Sequence, residues 1–256
     1  MSLRRSLLVF AMFYCAFIPA NSAQGAVPAD FVEIRTIDQT INVEARYASD
    51  WNFMGRPVAG YSANKCYLTK KAASALSKAQ KLLRKKSLGL LAFDCFRPAR
   101  AVADFVAWTK NSKDSDMKPI FYPNEPKESL IERGYISDRS GHSRGSTIDL
   151  TIIDNQRLKP PAKAWPELQF REEKTDCRSQ QNISSTGQLD MGTMFDCFSL
   201  RANTLNSEIS SASKANRKIL LDAMESSGFS NYEKEWWHFT LKDEPFKDAY
   251  FDFPIE

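Results

Sequence analysis

The stretch "SGHSRGSTIDLTI", residues 140–152, decides how the chain is read. "TIDLTI" alternates in the manner of a β-strand. Ile148, Leu150 and Ile152 face one way, and Thr147, Asp149 and Thr151 face the other. Gly141 and Gly145 permit a tight turn just before it. Two more strands follow the same logic: the short apolar run "LGLLAFDC" (88–95) and the aromatic "EWWHFTL" (235–241). Helices fill the space between them. Thr69 suits the cap of one running to about Lys86, with Ala72, Leu76, Ala79 and Leu83 as its apolar stripe and Gly89 as a stop. Pro98 suits the first turn of a second, "PARAVADFVAWTK" (98–110). "KANRKILLDAMESSGF" (214–229) gives a third. Residues 27–65 read as irregular. Residues 111–139 read as loop around a short helix at "KESLIERG". Residues 154–212 form a polar excursion, and the apolar tail "PFKDAYFDFPIE" packs on the body. With no repeat and no Gly/Pro linker, the simplest fold is one α+β domain.

The same opening stretch carries chemistry. The chain has only two histidines, and both stand beside carboxylates. His142 lies in the turn, seven residues before Asp149 on the polar face of its strand. His238 lies three residues after Glu235. Two imidazoles and a carboxylate form a common catalytic zinc set, with a fourth position left for water. Such a water has its pKa lowered to about 7. Glu235, a carboxylate outside that set, can take its proton. In a flat strand positions 235 and 238 would point to opposite faces, so Glu235 belongs on a loop or bulge just before the strand. Arg97 precedes a proline and is therefore held extended. It can meet an oxyanion near the metal, or simply pair with Asp94.

The ends of the chain and its cysteines bear on where it works. "MSLRR", the apolar run "SLLVFAMFYCAFI" and the small residues of "PANSAQGA" read as a secretory signal, residues 1–26, with cleavage after Ser22, Ala23 or Ala26. The run is too short for a good membrane span, and no later run could cross a membrane. Cys15 falls inside the leader. Cys66, Cys95, Cys177 and Cys197 remain, an even number in an exported chain, which suggests disulfides. Four cysteines allow three pairings. The favoured one is Cys177–Cys197, which closes a loop, with Cys66–Cys95. Net charge is +4, two of the positive charges being Arg4 and Arg5 of the leader, and no dense basic block points to nucleic acid.

Five ordered segments resemble a known family. "SGHSRGSTIDLT" is similar to the SxHxxGxAxD signature of the zinc D-alanyl-D-alanine dipeptidases of the vancomycin-resistance type, and "EWWHF" to their ExxH element. "DCFRPARAV", "YASDWNFMGRPVAGY" and "EPFKDAYFDFP" are also similar, so the resemblance runs from about Tyr47 to Pro254. It implies His142, Asp149 and His238 as ligands of one zinc per chain, Glu235 as general base and Arg97 as stabiliser of the tetrahedral intermediate. Tyr47, Ser140 and Asp196 (in "MGTMFDCF") match positions that hold the dipeptide, Asp196 facing its ammonium group. It also implies an α+β fold with a mainly antiparallel sheet flanked by helices. Two departures stand out. Thr147 replaces the signature's small Ala, and the leader makes this chain an exported, periplasmic one where the resistance enzymes are cytoplasmic.

The expected protein, residues 27–256, is thus an exported zinc dipeptidase. It splits the small-molecule substrate D-Ala-D-Ala in peptidoglycan turnover, with no nucleic acid partner. The rivals are a D,D-carboxypeptidase or endopeptidase on peptidoglycan stems, and a non-catalytic zinc-binding recognition module. Asp196 argues against the first, because it caps a free ammonium. Glu235 and Arg97 argue against the second, because zinc binding alone needs neither.

Overall fold

The computed structural model describes residues 25–156, 175–179 and 187–256. Residues 1–24 of the expected leader, and residues 157–174 and 180–186 of the polar excursion, lie outside them. In chain order the elements are β1 (Phe31–Glu33), β2 (Asn42–Val43), β3 (Tyr67–Thr69), α1 (Lys70–Arg84), β4 (Leu88–Asp94) and α2 (Ala99–Lys110). Then come α3 (Lys118–Phe121), β5 (Thr147–Asp154), α4 (Ser211–Glu225), β6 (Phe229–Asn231) and β7 (His238–Leu241). Five strands form one sheet in the order β2-β4-β5-β7-β6, and β1 pairs with β3 apart from it. No helix among the described residues is long and apolar enough to cross a membrane.

The fold class is α+β, but the sheet is mixed, which corrects the expectation of a mainly antiparallel one. β4–β5, β5–β7 and β7–β6 run antiparallel, while β2 pairs parallel to β4. A parallel pair needs a long crossover. The route from β2 to β4 supplies one, because it contains β3 and α1. The residues read as irregular before position 65 therefore contain an edge strand two residues long, too short to show any periodicity.

The elements form for the reasons read in the sequence. The Thr69 hydroxyl accepts from the Ala72 N–H at 3.3 Å and caps α1. Ala72, Leu76, Ala79 and Leu83 are all buried. Pro98 stands at the N-cap of α2, one residue earlier than expected. β5 is central, so both of its faces are covered and the polar face with Thr147, Asp149 and Thr151 is as buried as the apolar one. The tail does pack down: Phe253 stacks on Phe96 with ring centroids 3.9 Å apart, and Ile255 is buried. The helix expected at "KESLIERG" is a single 3-10 turn, Lys127–Ser129, whereas α3 went unread in the preceding loop. Both disulfides form with the favoured pairing, Cys66–Cys95 and Cys177–Cys197, with Cα–Cα distances of 5.3 and 5.4 Å.

One buried cation holds the segment that carries Asp196. From α4, Arg217 donates to the carbonyls of Met191 (2.6 Å), Asn203 (2.6 Å) and Arg201 (2.9 Å), spanning both ends of that segment. Burial pulls its pKa down to about 10, so it is still protonated at neutral pH. Arg217→Met would keep the stem and strand the Met191 and Arg201 carbonyls, while Asn203 O keeps its bond from Asn206 N–H. A stranded buried acceptor costs about 1–3 kcal/mol, so a loss of about 2 kcal/mol or more is expected. At roughly 2–4 °C per kcal/mol for a chain of this size, Tm should fall by about 4 °C or more. A Tm within 2 °C of wild type in a thermal melt would show that the clamp does not hold the segment.

Candidate active site

Strand register assembles the site. Asp149 is the shared partner of Asp94 across the β4–β5 pair and of His238 across the β5–β7 pair, so three adjacent strands bring these residues into one row. His142 reaches the row from a 3-10 turn, Gly141–Arg144, capped by Ser140. That turn ends at Gly145 with φ +78°, where a Cβ would run into the Phe31 ring. Only glycine meets both conditions.

The side chains converge tightly. Nε2 of His142 lies 3.3 Å from Asp149 Oδ2 and 3.3 Å from His238 Nδ1. His238 Nδ1 lies 3.0 Å from Asp149 Oδ1. One ligand atom from each residue falls within 4.8 Å of the others. The Cys95 carbonyl lies 2.7 Å from His142 Nδ1. A carbonyl can only accept, so Nδ1 carries the proton and Nε2 offers its lone pair to the cluster. Asp149 Oδ1 is buried without a hydrogen bond, its short approach to His238 lacking hydrogen-bond geometry. Burial opposes the Asp149 charge, but His142 and His238 outweigh it and hold the carboxyl well below its usual range. A buried anionic oxygen without a donor, facing two imidazole nitrogens, is a donor set that fits a divalent cation.

Glu235 resolves the geometric objection raised by its spacing. β7 begins only at His238, and residues 235–237 form a turn closed by His238 N–H donating to Glu235 O at 3.2 Å. The turn brings Glu235 Oε2 within 3.5 Å of His238 Nδ1. Burial, and then the Asp149 charge, push the Glu235 carboxyl well above its usual range.

Arg97 pairs with Asp94, one of its two sequence readings, and lines the cleft. Its Nε and Nη2 grip Asp94 Oδ2 at 2.9 and 2.8 Å, while Nη1 reaches Ser140 Oγ at 3.5 Å. Its guanidinium lies over the rings of Tyr47 and Phe105, 5.2 and 5.1 Å from their centroids. Burial works against its charge, and Asp94, Tyr47, Tyr61 and Asp149 together more than offset that. Asp196 stands across the same cleft. The Tyr47 hydroxyl donates to Asp196 Oδ2 at 2.9 Å. Burial, and then Asp149, push the Asp196 carboxyl well up.

All eight of the expected site residues line one cleft of about 260 Å³, walled by Phe53, Phe105 and Phe198. Drug-sized ligands occupy roughly 300–1,000 Å³, so this cleft suits something smaller. Sequence reading missed Tyr61, whose hydroxyl donates to Asp94 Oδ1 at 2.5 Å, and the role of the Cys95 carbonyl. Neither has a local signal, since the contacts span 33 and 47 residues of sequence.

A buried cluster able to hold a metal, with a carboxylate beside it, defines a hydrolytic centre of the peptidase kind. The family described as D-ala-D-ala dipeptidase matches this chain over residues 28–161 and 170–256. The D-alanyl-D-alanine dipeptidase of Enterococcus faecium is 35% identical over 228 residues, covering 88% of this chain and 98% of that one. That of Streptomyces coelicolor is 36% identical over 227 residues, with 88% and 98% covered. That of Enterococcus faecalis is 38% identical over 213 residues, with 83% and 91% covered. The chain belongs to the D-ala-D-ala dipeptidase family, and it is a hydrolase, a dipeptidase.

Proposed function

We propose that this protein is an exported zinc dipeptidase, acting as one domain over residues 27–256, that splits D-Ala-D-Ala into two D-alanines in peptidoglycan turnover. One observation carries the reading: His142, Asp149, His238, Glu235 and Asp196 line a single cleft of dipeptide scale. His142 Nε2, Asp149 and His238 Nδ1 would hold the zinc, which would supply Lewis acidity to a peptide carbonyl and lower the pKa of a water to about 7.

The remaining steps belong to the chain. Glu235 takes the proton from the attacking water, a role its raised pKa suits, and passes it to the leaving amine. Arg97, fixed by Asp94, presents Nη1 toward the oxyanion of the tetrahedral intermediate. Tyr47 and Ser140 orient the dipeptide. Asp196 meets its ammonium group. Ammonium contact favours the ionised form of this buried carboxyl and so opposes the burial that raises its pKa. The aromatic walls shed water and strengthen each of these contacts. The leader and the even set of cysteines support export.

Blocking the substrate's amine tests the reading. Acetylation removes the positive charge and adds bulk. A close ion pair at an effective dielectric of 20 is worth on the order of 4 kcal/mol at 4 Å. Wild-type protein should therefore hydrolyse D-Ala-D-Ala and fail on N-acetyl-D-Ala-D-Ala. Asp196→Ala should impair the free dipeptide far more than the acetylated one. If the acetylated dipeptide or a pentapeptide stem is cut equally well, with products identified by mass, the protein is a D,D-carboxypeptidase. If nothing is cut by zinc-loaded protein, the recognition module becomes the better account.

A further inference from the structure

Asp196 has φ +59°, one of two non-glycine residues with positive φ among the described residues. The left-handed region is uncommon for a residue with a Cβ and persists where the surroundings impose it. Those surroundings are specific here. The next residue, Cys197, is bonded to Cys177, and both are fully buried. Cys177 is tied in on both sides: its N–H donates to Ile120 O at 2.9 Å and its carbonyl accepts from Met194 N–H at 2.9 Å. Phe198 N–H then donates to Phe121 O at 2.8 Å. Residues 194–198 are thereby fastened to α3 on either side of Asp196. A turn of the Asp196 backbone to the common right-handed region would swing its carboxylate away from the Tyr47 hydroxyl.

We propose that the Cys177–Cys197 bridge is a positioning element for the dipeptide's ammonium group, holding Asp196 left-handed with its carboxylate turned into the cleft. The proposal rests on Asp196 being the ammonium partner. The second bridge serves the other end of the cleft. Cys66–Cys95 fixes the chain beside the Cys95 carbonyl that orients His142. The two bridges therefore carry opposite kinetic signatures, which a general stabilising role would not.

Three variants of the zinc-loaded chain, made in an oxidising compartment, separate these roles: Cys177→Ala/Cys197→Ala, Cys66→Ala/Cys95→Ala and Asp196→Ala. Steady-state kinetics are read on D-Ala-D-Ala and N-acetyl-D-Ala-D-Ala, with zinc content measured in parallel. Released from its bridge, Asp196 should leave the left-handed state by a factor of roughly ten. The Cys177/Cys197 variant should then show KM for D-Ala-D-Ala raised about tenfold and kcat within about threefold, a loss of uniform binding. Its zinc content should be unchanged, and its preference for the free dipeptide should fall in step with KM. The Cys66/Cys95 variant should lose zinc affinity and keep that preference. The proposal is overturned if folded Cys177→Ala/Cys197→Ala keeps wild-type KM and preference, or if both bridge variants show the same change. Should that variant fail to fold, Cys177→Val/Cys197→Ala refills part of the lost volume. Failure of both to fold also overturns it, because such a bridge is a requirement of folding. If Asp196→Ala itself leaves the preference intact, the ammonium reading is what fails and the proposal falls with it.

Discussion

His142→Ala is expected to leave a folded protein with less than about a tenth of wild-type zinc and turnover at background. Disturbing only the groups behind a metal ligand costs roughly 10–100-fold in affinity, and under the proposed assignment this substitution removes a ligand itself. The two that remain, Asp149 and His238, fall short of the three protein ligands usual in catalytic zinc sites. The His142 ring is buried, with its Nδ1 held by the Cys95 carbonyl, so the substitution takes an oriented Nε2 out of the cluster. Loss of fold is a separate outcome, and far-UV circular dichroism with a thermal melt reads it. Zinc per chain after dialysis, measured by mass spectrometry, decides the matter. Full occupancy in folded His142→Ala would show that the ligand set is wrong, whatever the activity does.

Local pattern carried most of the secondary structure. The alternation at 147–152 is a strand because a period-two sequence pattern has no other regular solution, although both faces are buried, and the stripe Ala72–Leu76–Ala79–Leu83 is a helix face for the matching reason. Pairings between distant segments leave no such trace. Nothing near Asn42 announces that β2 will run parallel to β4, and a two-residue strand has no period to detect. The site divides along the same line. His142, Asp149 and His238 stood out because histidine is so scarce here, and Arg97 because proline follows it. Asp94 looked like a simple partner for Arg97. Its place in the row with Asp149, beneath the Tyr61 hydroxyl, exists only once the strands are in register. The φ of Asp196 is likewise invisible in "MFDCF", because its neighbours in the fold impose it, while the chemistry of the aspartate itself leaves the choice open.

Glu235→Gln should bind a full complement of zinc and lose a factor of at least ~100 in turnover, the lower end for general acid–base catalysis. The amide keeps the volume of the carboxyl, so the turn before β7 and the packing of Trp236 and Trp237 should survive. What it cannot do is accept the water's proton and return it to the leaving amine. The environment of Glu235 is arranged for both halves of that cycle. Burial and the neighbouring Asp149 charge raise its proton affinity well above that of an ordinary carboxylate, which brings its pKa toward that of the water it must deprotonate. The 3.5 Å approach to His238 Nδ1 places it at the edge of the metal-binding cluster, outside the ligand set. Substrate affinity should change little, since the proposed partner of the ammonium is Asp196 at a separate wall, so the loss should fall on kcat with KM nearly constant. Zinc content and steady-state kinetics on the same preparation check both halves. Turnover within tenfold of wild type would remove Glu235 from the proton-transfer role. Loss of zinc together with turnover would make it a ligand, and the proton would then need another acceptor.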